Sequence, residues 1–201
     1  MKKEKEGRRR TYRMQHRARA AEETAVRILE AARFVLRRQP YDLATLQAIA
    51  GRAGVSMQTV LRRFGSKEQL VCAVLERDRA EVEARWVLVP PGDIATAVQA
   101  LLAHYEQFGD TMIRNLRLEE RLPDIGPLIA AGRELHERWA THAFGPYLPA
   151  PSEPAYARRL ALFMAATDVC LWKLLRRDRG LSPGETERAV VALLEGLVAT
   201  R

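Results

Sequence analysis

A chain of 201 residues, 47% of them apolar, can bury a sizeable core, and its two cysteines are too few for a disulfide framework. Apolar runs break on a charge or a proline well short of the roughly 18 residues that cross a bilayer, so no membrane span is expected. The net charge of +8 sits mostly in the first twenty residues, an asymmetry that bears on nucleic acid.

That first stretch holds nine basic side chains (Lys2, Lys3, Lys5, Arg8, Arg9, Arg10, Arg13, Arg17 and Arg19) against Glu4 and Glu6. Residues 1–21 read as a basic, flexible arm. Such an arm can follow DNA phosphates or enter the minor groove. As a solubilising tail it would still strengthen non-specific, salt-sensitive attraction to DNA. It lacks the apolar centre of an export signal. Cys72 and Cys170 fall in apolar helical stretches and read as reduced core residues, so a cytoplasmic protein is expected. A redox switch is the alternative for the pair.

A helix from about Glu22 to Arg38 leads to the most informative stretch, TLQAIAGRAGVSMQTVLRRFGSK at 45–67. Leu46, Ile49, Ala50 and Ala53 carry helical spacing. Gly54 then supplies the left-handed conformation of a tight helix exit, and Ser56 caps a second short helix. Two short helices joined by a three-residue turn holding a glycine make a helix-turn-helix, whose second helix enters the DNA major groove. With Val60 and Phe64 turned inward, steps of about 100° put Gln58 and Arg62 on the opposite face. Thr59 and Leu61 lie on the flanks, and Met57 and Arg63 lie nearer the core edge. Gln can pair two-pronged with adenine and Arg with guanine, while Thr59 suits a phosphate oxygen. Ser66 caps the next helix with Gln69 as its capping-box partner, and Lys67 joins free amides suited to a phosphate.

Residues 24–76 resemble the N-terminal domain of TetR-family transcriptional regulators. The most specific elements are Ile49-Ala50, the run from Arg52 to Ser56, Thr59, Phe64 and Ser66-Lys67-Glu68. The resemblance implies a homodimer that binds a palindromic operator, most simply as a repressor, and is released by a small-molecule effector. It implies phosphate contacts from Thr59 and Lys67, and base-facing positions around Met57, Gln58, Arg62 and Arg63. The expected DNA-contacting set is Thr45, Ser56, Met57, Gln58, Thr59, Leu61, Arg62, Arg63 and Lys67. Leu61 stands where the family usually has a Tyr that bonds a phosphate. Leu cannot donate, although its methyls could meet a thymine methyl. Gln58, where Gly is frequent, adds a base contact.

Past the motif, prolines supply the punctuation. A fourth helix is predicted from Lys67 to about Trp86, ending before Pro90-Pro91. Asp93 caps a helix carrying Ile94, Ala97, Val98, Leu101, Leu102 and Tyr105. Another is predicted over about Asp110–Arg121, and the next from about Pro127 to Ala143. Residues 145–154 read as a loop, and two helices follow at roughly 155–178 and 183–199. The expected fold is all-α: arm 1–21, helix-turn-helix domain 22–68, and a helical ligand-binding and dimerisation domain over 69–201.

The last two helices are apolar beyond a single stripe. Leu160, Phe163, Met164, Leu171 and Leu174 lie on one, and Val190, Leu193, Leu194 and Leu197 on the other. They therefore need partners on two sides. The resemblance implies a four-helix bundle with a second subunit, and burial within one subunit is the alternative. Candidate effector-pocket residues are Tyr105, Phe108, Met112, Asn115, His136, Trp139, Phe163, Asp168 and Trp172, though each aromatic could equally be core. Asp168 interrupts an apolar helix where a lone carboxylate is costly. It could meet a cationic or hydroxylated ligand or pair with an Arg across the dimer interface.

No enzyme is expected. Di-metal carboxylate bundles need Glu-x-x-His pairs, and in Glu134-Leu135-His136 the His comes one residue too early. His104, His136 and His142 lack metal-ligand spacing, so neither metal nor cofactor is expected. The rival readings are an architectural DNA-binding protein and a regulator controlled by a protein partner.

Overall fold

The computed structural model describes the backbone of residues 2–86 and 88–200, and the side chains of 16, 18–86 and 88–200. The described residues form helices and turns: α1 (Lys2–Arg38), α2 (Leu46–Ala53), α3 (Met57–Phe64), α4 (Lys67–Trp86), α5 (Ile94–Leu116), α6 (Gly126–Phe144), α7 (Ala155–Ala166), α8 (Val169–Lys173) and α9 (Pro183–Ala199). The chain divides into two compact units, 1–74 and 75–201, the division falling inside α4. No helix among the described residues is long and apolar enough to cross a membrane.

In the first unit, α1 turns Ile28, Ala31, Ala32 and Val35 inward at three- and four-residue spacing. They pack with Ile49, Ala50 and Ala53 of α2, Val60 of α3, and Leu70 and Val74 of α4. Helix α1 begins at Lys2, where a flexible arm was expected to precede a helix from Glu22. The segment is rich in Arg, Lys, Glu and Ala, and no proline interrupts it before Pro40. The DNA contacts expected of its basic side chains from Lys2 to Arg17 lie outside the described residues, so the minor-groove role stays an expectation.

The caps of the helix-turn-helix explain its sharp geometry. Thr45 accepts the Ala48 N–H at 3.1 Å. Gly54 sits at φ +66°, a conformation that costs other residues their Cβ clearance, and Val55 N–H returns to Ala50 O at 3.0 Å. Ser56 then accepts the Thr59 N–H at 3.2 Å and starts α3.

In the second unit, α5 runs unbroken where the sequence suggested two helices meeting near Asp110. Gly109 ends nothing. A Cβ placed there would stand 2.4 Å from the Trp172 ring, so this glycine is a notch that lets the indole seat against α5. Turns occupy 117–121 in place of the expected helix end. The 145–154 loop holds one 3₁₀ turn, Gly145–Tyr147.

The long helix expected over 155–178 is broken instead. The Thr167 hydroxyl bonds back to Phe163 O at 2.8 Å, and Asp168 turns to extended backbone (φ −74°, ψ 148°). Its carboxylate accepts the Cys170 N–H at 2.7 Å, starting α8. Past α8 the helix widens into a π-helical turn over Leu174–Asp178. Ser182 and Glu185 form a reciprocal capping box at the start of α9. Cys72 and Cys170 are both free thiols, but Cys72 is half-buried and Cys170 exposed, so neither is the core residue expected.

Candidate nucleic-acid interface and cavity

Recognition helix α3 is pinned from below and open above. Val60 is fully buried and Phe64 packs beside it, while Gln58 and Arg62 are exposed, as their angular positions require. Two planar, hydrogen-bonding side chains thus stand on the face away from the core. Met57 is exposed, Leu61 half-buried, and the Thr59 hydroxyl lies 2.9 Å from Ser56 Oγ. Thr45 and Ser56 hold the N-termini of α2 and α3 and remain exposed there.

Two residues expected to contact DNA hold partners within the protein in this structure. Arg63 donates to Glu22 at 3.2 Å, linking α3 to α1. The pair is exposed and therefore weak, so it orients the side chain more than it stabilises the fold. Lys67 donates to Tyr41 O at 2.6 Å and stands 4.1 Å over the Tyr41 ring. Burial lowers its pKa, against the opposing pull of Asp42 and Glu68. Glu68 in turn accepts the Tyr41 hydroxyl at 2.7 Å. Lys67 is held this way because the Tyr41 turn supplies an acceptor and an aromatic face beside the start of α4.

The second unit encloses a cavity of about 350 Å³ within the usual range for small-molecule sites. Tyr105, Phe108, Met112, Asn115, His136 and Asp168 line it. Trp139, Phe163 and Trp172 do not, and this corrects their expected role. They are 3%, 0% and 1% exposed and form the layer behind the wall. Trp139 packs on Trp86 and Phe144, with centroids at 5.1 and 5.6 Å. Phe163 stacks on Phe144 at 4.8 Å, and Trp172 fills the notch at Gly109.

Asp168 caps α8 through a backbone amide while it lines the cavity. Beside it, Thr167 gathers three groups. Tyr105 donates to its carbonyl at 2.9 Å, its own hydroxyl goes to Phe163 O, and His136 Nε2 lies 2.9 Å from that hydroxyl. A hydroxyl with its hydrogen spent accepts from the imidazole, leaving Nδ1 as the acceptor. Burial lowers the His136 pKa and raises that of Tyr105, so both stay neutral near pH 7.

Sequence reasoning missed the contribution of α4, from Leu75, Arg79, Val82 and Trp86, and on α6 it found His136 but not Leu128, Ile129 and Arg133. The signal was there in α4. Leu75, Val82 and Trp86 form a helical stripe, and Arg79 interrupts it where a charge is costly. No group of three or more His, Cys, Asp or Glu among the described residues could hold a metal ion.

Comparison with known proteins follows the same division. The family of bacterial regulatory proteins, tetR family, matches residues 28–74, which spans α1 through the first turns of α4. No curated protein sequence matches the chain at a significant level. Among solved structures, a transcriptional regulator from a Rhodococcus species is 18% identical with a TM-score of 0.69, covering 87% of this chain and 96% of that one. A tetR-family transcriptional regulator from Streptomyces coelicolor is 19% identical with a TM-score of 0.68, covering 90% and 84%. The multidrug binding protein EbrR, solved in complex with imidazole, is 20% identical with a TM-score of 0.55, covering 83% and 87%. At these identities the likeness is one of fold.

Proposed function

Because the chain is a TetR-family DNA-binding transcriptional regulator, we propose that it acts as a homodimeric repressor, holding a palindromic operator until a small molecule enters the cavity of its second unit. The observation that carries this reading is the exposed pair Gln58 and Arg62 on α3, opposite the fully buried Val60. Both are base-reading types, able to discriminate a base pair by roughly 1–3 kcal/mol each. Thr45, Ser56, Thr59 and Lys67 serve the phosphates, Lys67 after leaving Tyr41, and Met57, Leu61 and Arg63 border the base contacts.

Dimerisation is supported by the apolar surface of α7 and α9, where Leu162 and Leu193 stay 44% and 49% exposed. A pair of recognition helices must stand about 34–36 Å apart to meet successive major grooves. Helix α4 supplies the means of control. Its Leu70 and Val74 belong to the core of the first unit, and its Val82 and Trp86 line the cavity of the second. An occupant that shifts the far end of α4 favours one separation of the reading heads over another. The coupling is reciprocal, so DNA weakens effector binding by the same factor. The binding of imidazole by EbrR, a protein of similar fold, is in keeping with a ligand-responsive domain, an analogy of fold alone. The protein works in the cytoplasm, as a regulator and not as an enzyme.

Selection from a randomised duplex pool at near-physiological salt tests the reading. Enrichment of an inverted repeat is expected, and Arg62→Ala should relax preference at one base position in each half-site. Binding with no enrichment, collapsing as salt rises, would replace the regulator with an architectural protein whose affinity comes from its basic residues.

A further inference from the structure

The cavity of the second unit carries one charge that the protein leaves unanswered. Arg79 lines it from α4, and its Nε is buried with no hydrogen-bond partner. The other charged groups on the wall are engaged. Arg133 forks onto Glu119 with two bonds of 2.6 Å. Asp168 caps α8 through Cys170 N–H, and Asp78 has a partner although its Oδ1 is buried without a hydrogen bond. An arginine cannot lose its proton to escape such a site, and its planar fork matches a carboxylate in geometry. The remaining wall is apolar and aromatic: Val82, Trp86, Phe108, Met112 and Ile129. A volume near 350 Å³ suits a body of about two fused rings.

We infer that the occupant of this cavity is an aromatic carboxylate, its anionic group paired with Arg79 and its flat body laid against Trp86, Phe108 and Met112. The inference rests on the reading of the cavity as an effector site and adds the chemical class of the effector. A cation would have only Asp78 and Asp168 to meet, and each already has an interaction of its own, whereas Arg79 Nε has none. A phosphorylated metabolite would set its strongly hydrated group and its polar body against apolar walls.

Three probes of one shape and different charge test it on the full chain: 2-naphthoate, 2-naphthamide and 2-naphthylmethylammonium. Calorimetry and thermal shift should show the acid binding at least about tenfold tighter than the other two, a margin typical of one charge-assisted contact. Arg79→Gln should abolish that margin while leaving amide binding unchanged, and Arg79→Lys, which keeps the charge and loses the fork, should restore part of it. Equal or tighter binding of the amide or the ammonium overturns the proposal. So does failure of all three to bind, or an acid affinity indifferent to Arg79→Gln. Should that variant not fold, the comparison of the three probes on the native chain decides. Operator release separates the two readings. Release by the amide or the ammonium alone keeps the effector site and sinks the anion. Acid binding through Arg79 without release keeps the site and sinks effector control.

Discussion

Glu106 accepts three hydrogen bonds: from Arg176 Nε at 2.7 Å, Arg176 Nη2 at 3.0 Å, and Trp172 Nε1 at 2.9 Å. Four residues on, Asp110 takes the fork of Arg177 with two bonds of 2.9 Å. Hydrogen bonds from these guanidinium groups hold both carboxyls below their ordinary pKa, outweighing the opposing effect of partial burial. A carboxylate whose folded pKa is depressed contributes stability above its unfolded value, near 4 by ordinary standards, and loses it as pH falls through the folded value. Urea midpoints measured from about pH 6 to about pH 3 should therefore fall toward acid. Glu106→Gln should flatten that fall and cost about 1 kcal/mol at neutral pH, the upper end for solvent-screened pairs. An unchanged slope in the variant would show that the pair does not couple to folding.

At the scale of elements, a π-helical turn and a glycine inside a regular helix both serve packing. The π-helical turn after α8 carries consecutive arginines, yet both meet the same helix, at Glu106 and Asp110 one turn apart on α5. Gly109 lies between those two acids, under the Trp172 ring. Replacing a helical glycine by alanine usually gains up to about 1 kcal/mol through propensity. Here the new methyl would stand 2.4–2.7 Å from three atoms of a ring that is itself 1% exposed, so the ring has nowhere to go. Gly109→Ala is expected to destabilise by about 1–3 kcal/mol, as overpacking does. Chemical denaturation checks the sign, and a gain in stability would mean that α8 slides freely on α5.

For the whole molecule, the quantity that matters is the proposed pairing of two chains. Leu193 and Leu162 are large apolar side chains left about half exposed on α9 and α7. Leu193→Glu should yield a folded monomer by sedimentation, because a charge on a buried interface finds no partner while on a monomer surface it is solvated. Operator affinity should drop by roughly 100-fold or more, since two linked half-site contacts become one. A variant that stays dimeric would move the interface to another face.

Local signals determined much of this protein in advance. Caps, a left-handed glycine and a 3–4 apolar period are properties of neighbouring residues, so the chain itself announces the helix-turn-helix, its exposed Gln58 and Arg62, and the all-α class. The helix over 155–178 and the pocket were different problems. Thr167 and Asp168 break that helix through local bonds to Phe163 O and Cys170 N–H, and Tyr105 and His136, from distant helices, meet Thr167 there. Gly109 gives no sign in sequence of its role, because Trp172, which needs its missing side chain, stands 63 positions away in the chain. Whether an aromatic becomes wall or core depends on which face another helix covers, and periodicity carries no information on that. Trp139, Phe163 and Trp172 went into the core, while Arg79 and Trp86 came to the cavity. Tertiary packing alone decides such outcomes, because burial is a property of what stands opposite a residue and not of what lies beside it in sequence.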